Sequence, residues 1–209
     1  RKGSSAEPFV LRNAEAGGYH IVIKGKKVAL RAIEKEDLPL LMEWRNNPEY
    51  RQYFREYREL NSVSQERWFQ NIVNGDKNTI MFTIVLTETG EPIGCCGLCY
   101  INWVNRFADL SLYIGWRNAY IDSEGYAQEA CELLFSYGFG ELGLHKIWTE
   151  IYDFDIKKYE LYKSFNFQQD GILRENYFHL GKWHDSRIMS LLATDYTNLQ
   201  GVTDGPDVP

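Results

Sequence analysis

The chain has 209 residues, 44% of them hydrophobic and 15% aromatic, which describes one globular domain with a substantial core and excludes a disordered chain. Its formal net charge of −6 excludes a nonspecific grip on nucleic acid, which needs a basic surface; it suits a cationic substrate, though a modest acidic balance also serves solubility alone. No apolar run approaches the ~18 residues of a membrane span and no signal-peptide pattern is present, so a cytoplasmic protein with no membrane partner is expected.

Residues 1–18 are polar, small and glycine-bearing, without periodicity, and read as a flexible arm; the chain opens on Arg1, so a natural start upstream is expected. Residues 19–23 read as a short strand turning at Gly25 and Lys26, and 28–33 alternate as the first core strand. A helix is predicted over 37–45, ended by Asn46, Asn47 and Pro48. Ser62 and Gln65 have the spacing of a capping box before a helix over 65–73. The segment 50–61 between these helices is dense in Tyr and Arg and reads, on its residues alone, as a solvated amphipathic helix. Residues 79–87 and 92–101 form a hairpin around Glu88, Thr89, Gly90 and Glu91, with Gly90 suited to the turn. Cys95, Cys96 and Cys99 lie on it, but zinc needs about four ligands and only Cys131 remains, within a predicted helix. The four therefore read as core thiols of a reducing compartment, with no metal expected.

The organising stretch runs over 105–167 as strand, loop, helix, strand, helix. Residues 106–115 and 144–152 are β-rich, and 155–164 are helical. Over 125–140, Ala127, Ala130, Cys131, Leu134, Phe135 and Phe139 keep the three-and-four spacing of one buried helix face. Gly125 opens that helix behind an acidic loop, at a terminus whose backbone N–H groups can receive a phosphate. A closing hairpin over 165–178 and 182–193 turns at Leu180 and Gly181. The domain spans 19–196, and 197–209 read as a disordered tail.

Gly125-Tyr126-Ala127-Gln128-Glu129-Ala130, Tyr137-Gly138-Phe139, Leu142-Gly143-Leu144-His145-Lys146-Ile147, Leu161-Tyr162-Lys163, Phe167 and Asp170-Gly171-Ile172-Leu173-Arg174-Glu175 together resemble the acyl-CoA-binding core of the GNAT superfamily of N-acetyltransferases. The similarity is to the branch of ribosomal-protein N-terminal, spermidine and amino-sugar acetyltransferases. It reaches back to Val28-Ala29-Leu30-Arg31 and Trp44-Arg45-Asn46, so it covers roughly 26–193. The implied fold is one α/β (α+β) domain. Its central twisted sheet is mixed and mostly antiparallel, with about seven strands, about four flanking helices and two strands splayed at the acyl-CoA site. The family's phosphate loop places Gln or Arg, then Gly, then Gly or Ala, where this chain has Asp122, Gly125 and Ala127; Ser123 and Glu124 are further departures. If Asp122 and Glu124 point away from the helix end, the N–H groups of residues 125–127 stay free for CoA. If the acids occupy that anion site, CoA is excluded and the fold reads as a noncatalytic binding module.

The resemblance implies transfer of an acetyl group from acetyl-CoA directly to a primary amine, without metal. Such a reaction needs a neutral amine, a polarised carbonyl and a proton for the departing thiolate. Tyr162 stands at the family's Leu-Tyr position and is implied as the acid, a free phenol having a pKa near ~10. A backbone N–H on 110–114 is implied to polarise the carbonyl. The implied acetyl-CoA contacts are therefore Leu112, Tyr113, Ile114, Gly125, Tyr126, Ala127, Asp155 and Tyr162, with Asp155 in the place of an asparagine and still able to cap the last helix. Asp109, Glu150 or water takes the amine proton. His145, His179 and His184 fit no nucleophilic arrangement.

The acceptor, a small molecule or a peptide, stays open. An amino-sugar nucleotide calls for Arg51, Arg55 or Arg58 near its phosphates, a polyamine calls for Glu56 and Glu59, and a protein N-terminus is the third class. In GNAT-like folds the segment 50–61 would cover the acceptor groove. A homodimer is left open.

Overall fold

The computed structural model describes residues 15–16 and 19–199. The first strands are β1 (Glu15–Ala16), β2 (Tyr19–Lys24) and β3 (Val28–Ala32), followed by a 3₁₀ turn and helices α1 (Leu38–Asn46), α2 (Pro48–Arg51) and α3 (Ser62–Trp68). Strands β4 (Ile80–Leu86), β5 (Pro92–Asn102) and β6 (Phe107–Ile114) then run as a meander, with Gly90 at φ 74° in the β4–β5 turn. Helix α4 (Tyr126–Phe135), strand β7 (Lys146–Tyr152) and helix α5 (Ile156–Ser164) follow. The hairpin of β8 (Gln168–His179) and β9 (Lys182–Leu192) and the helix α6 (Ala193–Leu199) close the described chain.

The sheet order is β1-β2-β3-β4-β5-β6-β7-β9-β8, antiparallel everywhere except between β6 and β7. That exception follows from α4, whose crossover returns the chain in the same direction, as parallel pairing requires. The nine strands and six α-helices of the described residues exceed the roughly seven and four expected, because β1 and β2 extend one edge and α2 and α6 are short. Glu15–Ala16, within the expected arm, pairs with β2, and α6 enters the expected tail; the rest of both segments lies outside the described residues.

Each face of the sheet carries its own helices. Ala127, Ala130, Cys131, Leu134 and Phe135 of α4 are buried as their spacing predicts. Burying such a stripe at about 25 cal/mol per Å² is what fixes a ten-residue helix that would be marginal alone. Phe139 stays half-buried on the π-helical turn Ser136–Glu141 that continues α4. On the opposite face, Trp44 of α1 packs edge-on to Tyr113, with ring centroids 6.4 Å apart, and lies flat over Gly115, where a Cβ would collide with its ring. Cys95, Cys96 and Cys131 are buried, Cys99 is partly so, and no group of three or more His, Cys, Asp or Glu is placed to hold a metal among the described residues. No described helix is long and apolar enough to cross a membrane.

Two polar clamps set the frame. The Glu129 carboxylate, in the first turns of α4, accepts from the backbone N–H groups of Lys26 (2.9 Å), Lys27 (2.7 Å) and Val28 (2.7 Å), tying the β2–β3 turn to that helix. Arg31 of β3 grips Asp37 with both terminal nitrogens at 2.7 Å, and Thr83 of β4 donates to the same carboxylate at 2.9 Å. The capping box of α3 sits one residue from its expected place: Asn61 is the cap and exchanges bonds with Ser64, at 2.8 and 2.9 Å. Asparagine competes equally well for that position, which spacing alone does not decide.

Candidate active site

Strands β6 and β7 pair only at Phe107↔Lys146, Ala108↔Ile147 and Asp109↔Trp148. Beyond Asp109 they splay, with the Thr149 hydroxyl reaching the Leu110 carbonyl at 3.5 Å as the last link. Gly115 donates towards β5, to the Ile93 carbonyl at 2.9 Å, and Ile114 donates away from it, to the Tyr120 carbonyl at 2.8 Å. Alternation along the strand therefore directs the N–H of Leu112 towards the gap. The Ile114 N–H is already engaged, and the Tyr113 side chain faces the α1 side of the sheet.

Helix α5 closes the far side of the gap. Asp155 caps it as expected, accepting from the Lys158 N–H at 3.2 Å, and its other oxygen accepts from the Tyr120 hydroxyl at 2.6 Å. Two turns on, Tyr162 is fully buried, its ring stacked 5.3 Å from Phe167, and its hydroxyl has no hydrogen-bond partner among the described residues. Burial pushes the phenol well above its ordinary range, with the nearby carboxylates of Asp155 and Asp109 adding to the shift. Lys158, 5.3 Å from the Tyr120 ring, has its ammonium lowered by burial against the pull of Asp155 and Asp109. Sequence reasoning missed Tyr120 and Lys158. A lysine one turn into a polar helix looks solvated, and only the packing of α5 against the gap turns it inward.

Asp109 and Glu150, the two candidate bases, are brought to one guanidinium. Arg55 donates to Asp109 at 2.8 Å and lies 3.5 Å from Glu150, which also accepts from Asn176 at 2.8 Å. Burial raises the Asp109 carboxyl despite the opposing Arg55. Among the described side chains the histidines assemble no triad: His184 pairs with Asp153 at 2.9 Å, His179 stacks near Phe154, and His145 is exposed.

At the phosphate loop the second of the two arrangements left open by the sequence is found, with Asp122 on the helix end. Gly125 adopts φ 87° at the start of α4, but the helix end is not free. The Asp122 carboxylate accepts from the backbone N–H groups of Glu124 (2.8 Å), Tyr126 (2.9 Å) and Ala127 (2.7 Å). One orphaned helix terminus has thus been capped from within the chain. Beside it opens a cavity of about 670 Å³ between α4 and α5, walled by Ile121, Asp122, Gln128, Lys157 and Leu161, with Arg117 at its edge.

The segment 50–61 is neither a solvated helix nor wholly a surface loop. Tyr50 on the single turn of α2 and Phe54 just after it enter the core, and Tyr53 stacks on Tyr120 at 4.2 Å. The Tyr50 hydroxyl donates to the Gly115 carbonyl at 3.1 Å, so these aromatics pin the loop after β6. Arg55 points to the gap, while Glu56, Arg58 and Glu59 line a second cavity of about 510 Å³ between the sheet and helices α1 and α3.

A parallel pair splayed next to a helix N-terminus, with a buried phenol behind it, defines the acyl-transfer class. The Acetyltransferase (GNAT) domain model matches residues 27–168. The chain is 31% identical over 176 residues to the uncharacterized N-acetyltransferase p20 of Bacillus licheniformis, covering 82% of this chain and 96% of that protein. It is 27% identical over 173 residues to the spermidine N(1)-acetyltransferase of Vibrio cholerae, covering 82% and 96%. The crystal structure of spermidine N-acetyltransferase from Vibrio cholerae in complex with CoA and spermine superposes with a TM-score of 0.75 at 26% identity, over 82% of this chain and 99% of that one. A dodecameric structure of the same enzyme gives 0.70 at 26%, over 83% and 98%. This chain belongs to the GNAT acetyltransferase family, and acetyl-CoA is the co-substrate that goes with that family's chemistry.

Proposed function

We propose that this protein transfers an acetyl group from acetyl-CoA directly to a primary amine. The observation that carries the reading is the gap beyond Asp109, with the Leu112 N–H directed into it and the unpartnered Tyr162 hydroxyl buried behind. In this reading the amine nitrogen attacks the thioester carbon while the Leu112 N–H stabilises the charge growing on its oxygen. The carbon–sulfur bond breaks as the thiolate takes the Tyr162 proton. Desolvation makes the phenol a weaker acid, and it raises the basicity of a thiolate held in the same apolar gap in the same direction. The amine proton leaves through water or to Asp109 or Glu150; both carboxylates sit by Arg55, and burial raises the Asp109 carboxyl.

Asp122 occupies the anion site, the arrangement that on sequence alone excludes CoA; membership of an acetyl-CoA-using family revises that rule, and the cap becomes a competitor of the co-substrate. An N-cap contributes about 0.5–2 kcal/mol, so swinging it aside weakens a competing phosphate by a few-fold to roughly thirtyfold. Arg117 and Lys157 at the same cavity offer positive charge to a diphosphate, against the carboxylates of Asp122, Glu124 and Glu160 in the same wall. The second reading, a noncatalytic module, is favoured by that same cap. Calorimetric titration of acetyl-CoA at low salt separates them, with micromolar binding expected. Absence of binding, or of CoA release with any amine of a broad panel, overturns the enzymatic reading.

The relatives favour a polyamine acceptor, and an amino-sugar nucleotide or a protein N-terminus are the other classes to screen. A homodimer is tested by light scattering against the chain mass of 24.4 kDa.

A further inference from the structure

We infer that the acceptor is an amine carrying an anionic group, a carboxylate or a phosphate, seated in the cavity between the sheet and helices α1 and α3. This rests on the acetyl-transfer reading and departs from the polyamines named for the characterised relatives.

The cavity of about 510 Å³ has three guanidinium groups in its wall, Arg45, Arg58 and Arg67, and two carboxylates, Glu56 and Glu59. The carboxylate that faces these cations most closely is not available to a polycation. Glu56 accepts from Nε and Nη2 of Arg58, at 2.8 and 2.7 Å, and from the Arg58 backbone N–H at 3.0 Å. Those bonds hold its carboxyl down to about 2, so it stays paired across the working pH range. Glu59 stands out in solvent, its side chain 76% exposed and 4.0 Å from Arg51.

The cations are less committed. Arg45 lies half-buried with its guanidinium 4.4 Å over the Phe54 ring, and among the described residues neither it nor Arg67 enters an ion pair. Gln65 is 5% exposed, lines the same cavity, and its amide makes no hydrogen bond within the described chain. The floor adds no negative charge: Met81 is apolar, burial pushes the Cys95 thiol up to about 12, and it pushes the Tyr113 phenol well above its usual range. A half-buried guanidinium and an amide with no partner among the described residues, in the wall of one cavity, can both donate to an oxyanion, and the guanidinium bond is charge-assisted. A polyamine placed there would meet like charge.

The cavity and the gap are neighbours. Tyr113 lines the cavity floor and adjoins Leu112, whose N–H faces the gap, so the two lie within one or two strand spacings, on the order of 5–10 Å. An acceptor that reaches both therefore separates its amine from its anion by several bonds.

The test is acetyl-CoA-dependent CoA release with matched amines: 6-aminohexanoate against 6-aminohexanamide and 1,6-diaminohexane, and 3-aminopropyl phosphate against 3-aminopropanol, with spermidine alongside. The carboxylate or the phosphate member is expected to exceed its neutral partner at least tenfold in kcat/KM, and the pair that does so identifies the anion. The double variant Arg45→Gln, Arg67→Gln is expected to bring that ratio close to one, mainly through KM, with its melting temperature checked by calorimetry. Spermidine or the diamine outrunning both anionic amines, or equal rates within each pair, overturns the proposal. Titration of 6-aminohexanoate and 3-aminopropyl phosphate into the protein keeps the two readings distinct. Binding lost in the double variant with no acetyl transfer to any amine sustains the anion site and sinks the enzyme, whereas transfer without anion preference does the reverse.

Discussion

Tyr162 places a hydroxyl where no described residue hydrogen-bonds to it, at the back of the gap between β6 and β7. A buried, unpaired hydroxyl costs about 1–3 kcal/mol, so packing alone is better served by phenylalanine. Tyr162→Phe is therefore expected to leave the melting temperature unchanged or raised while kcat falls about a hundredfold or more, the range of a lost general acid. Steady-state assays and calorimetry on the same preparation check this, and a variant that keeps its kcat would return the tyrosine to a packing role. The sequence names Tyr162 only through its Leu-Tyr context, and the missing partner is a property of the packed core. Asp109 and Glu150 are likewise visible as acids on neighbouring strands, but the shared Arg55 is not, since it arrives from a segment 54 residues earlier in the chain than Asp109.

At the scale of elements, the N-terminus of α4 is held by two carboxylates with opposite consequences. Asp122 satisfies three N–H groups of the loop and first turn, in the place where the family's loop has Gln or Arg. Asp122→Gln removes both an internal competitor and a like charge beside a diphosphate, the latter worth roughly 1 kcal/mol in a watery site. Acetyl-CoA affinity is expected to tighten about tenfold at low salt and less at high salt, while unfolding becomes easier by about 1 kcal/mol through loss of the cap. Titration calorimetry at two salt concentrations reads this, and an unchanged or weaker Kd would assign Asp122 a constructive part in binding. Glu129 faces the other way, and Glu129→Ala strips the β2–β3 turn of its anchor, with an expected loss of about 1–3 kcal/mol in urea unfolding and little change in Kd. The helix itself was legible, because its five buried positions repeat at three and four. The β4–β5 and β8–β9 hairpins were legible from their glycine turns. The occupied helix end was not, because an acid four residues before a helix reads equally as cap or as solvated surface. The segment 50–61 escaped for a related reason: its aromatics follow no single period, since Tyr50 and Phe54 are drawn into the core by the loop after β6.

Across the whole molecule, stability at acid pH turns on the Arg31–Asp37 pair, which joins β3, β4 and the turn into α1. Burial alone would raise the Asp37 carboxyl, but bonds from Arg31, the Glu34 N–H and Thr83 together bring it below its ordinary value. A carboxylate depressed in the folded state adds stability above its unfolded pKa of about 3.9, and that part is lost as pH falls through the folded value. Unfolding free energy should therefore hold steady from pH 7 to about 5, as far as this group is concerned, and decline below about 4. The surface pairs Arg58–Glu56 and Lys35–Glu66 titrate in the same direction, but Arg58 and Lys35 are 71% and 66% exposed, so salt screens them. The Asp37 component, with both side chains at 6% exposure or less, should persist in high salt. Asp37→Asn is expected to lose about 3–5 kcal/mol at pH 7, since it leaves a buried guanidinium without its anion, and to show a shallower decline below pH 4. Urea melts of both proteins from pH 7 to 3, at low and high salt, measure the difference. Parallel curves would move the acid sensitivity to the surface pairs and leave the clamp a matter of packing.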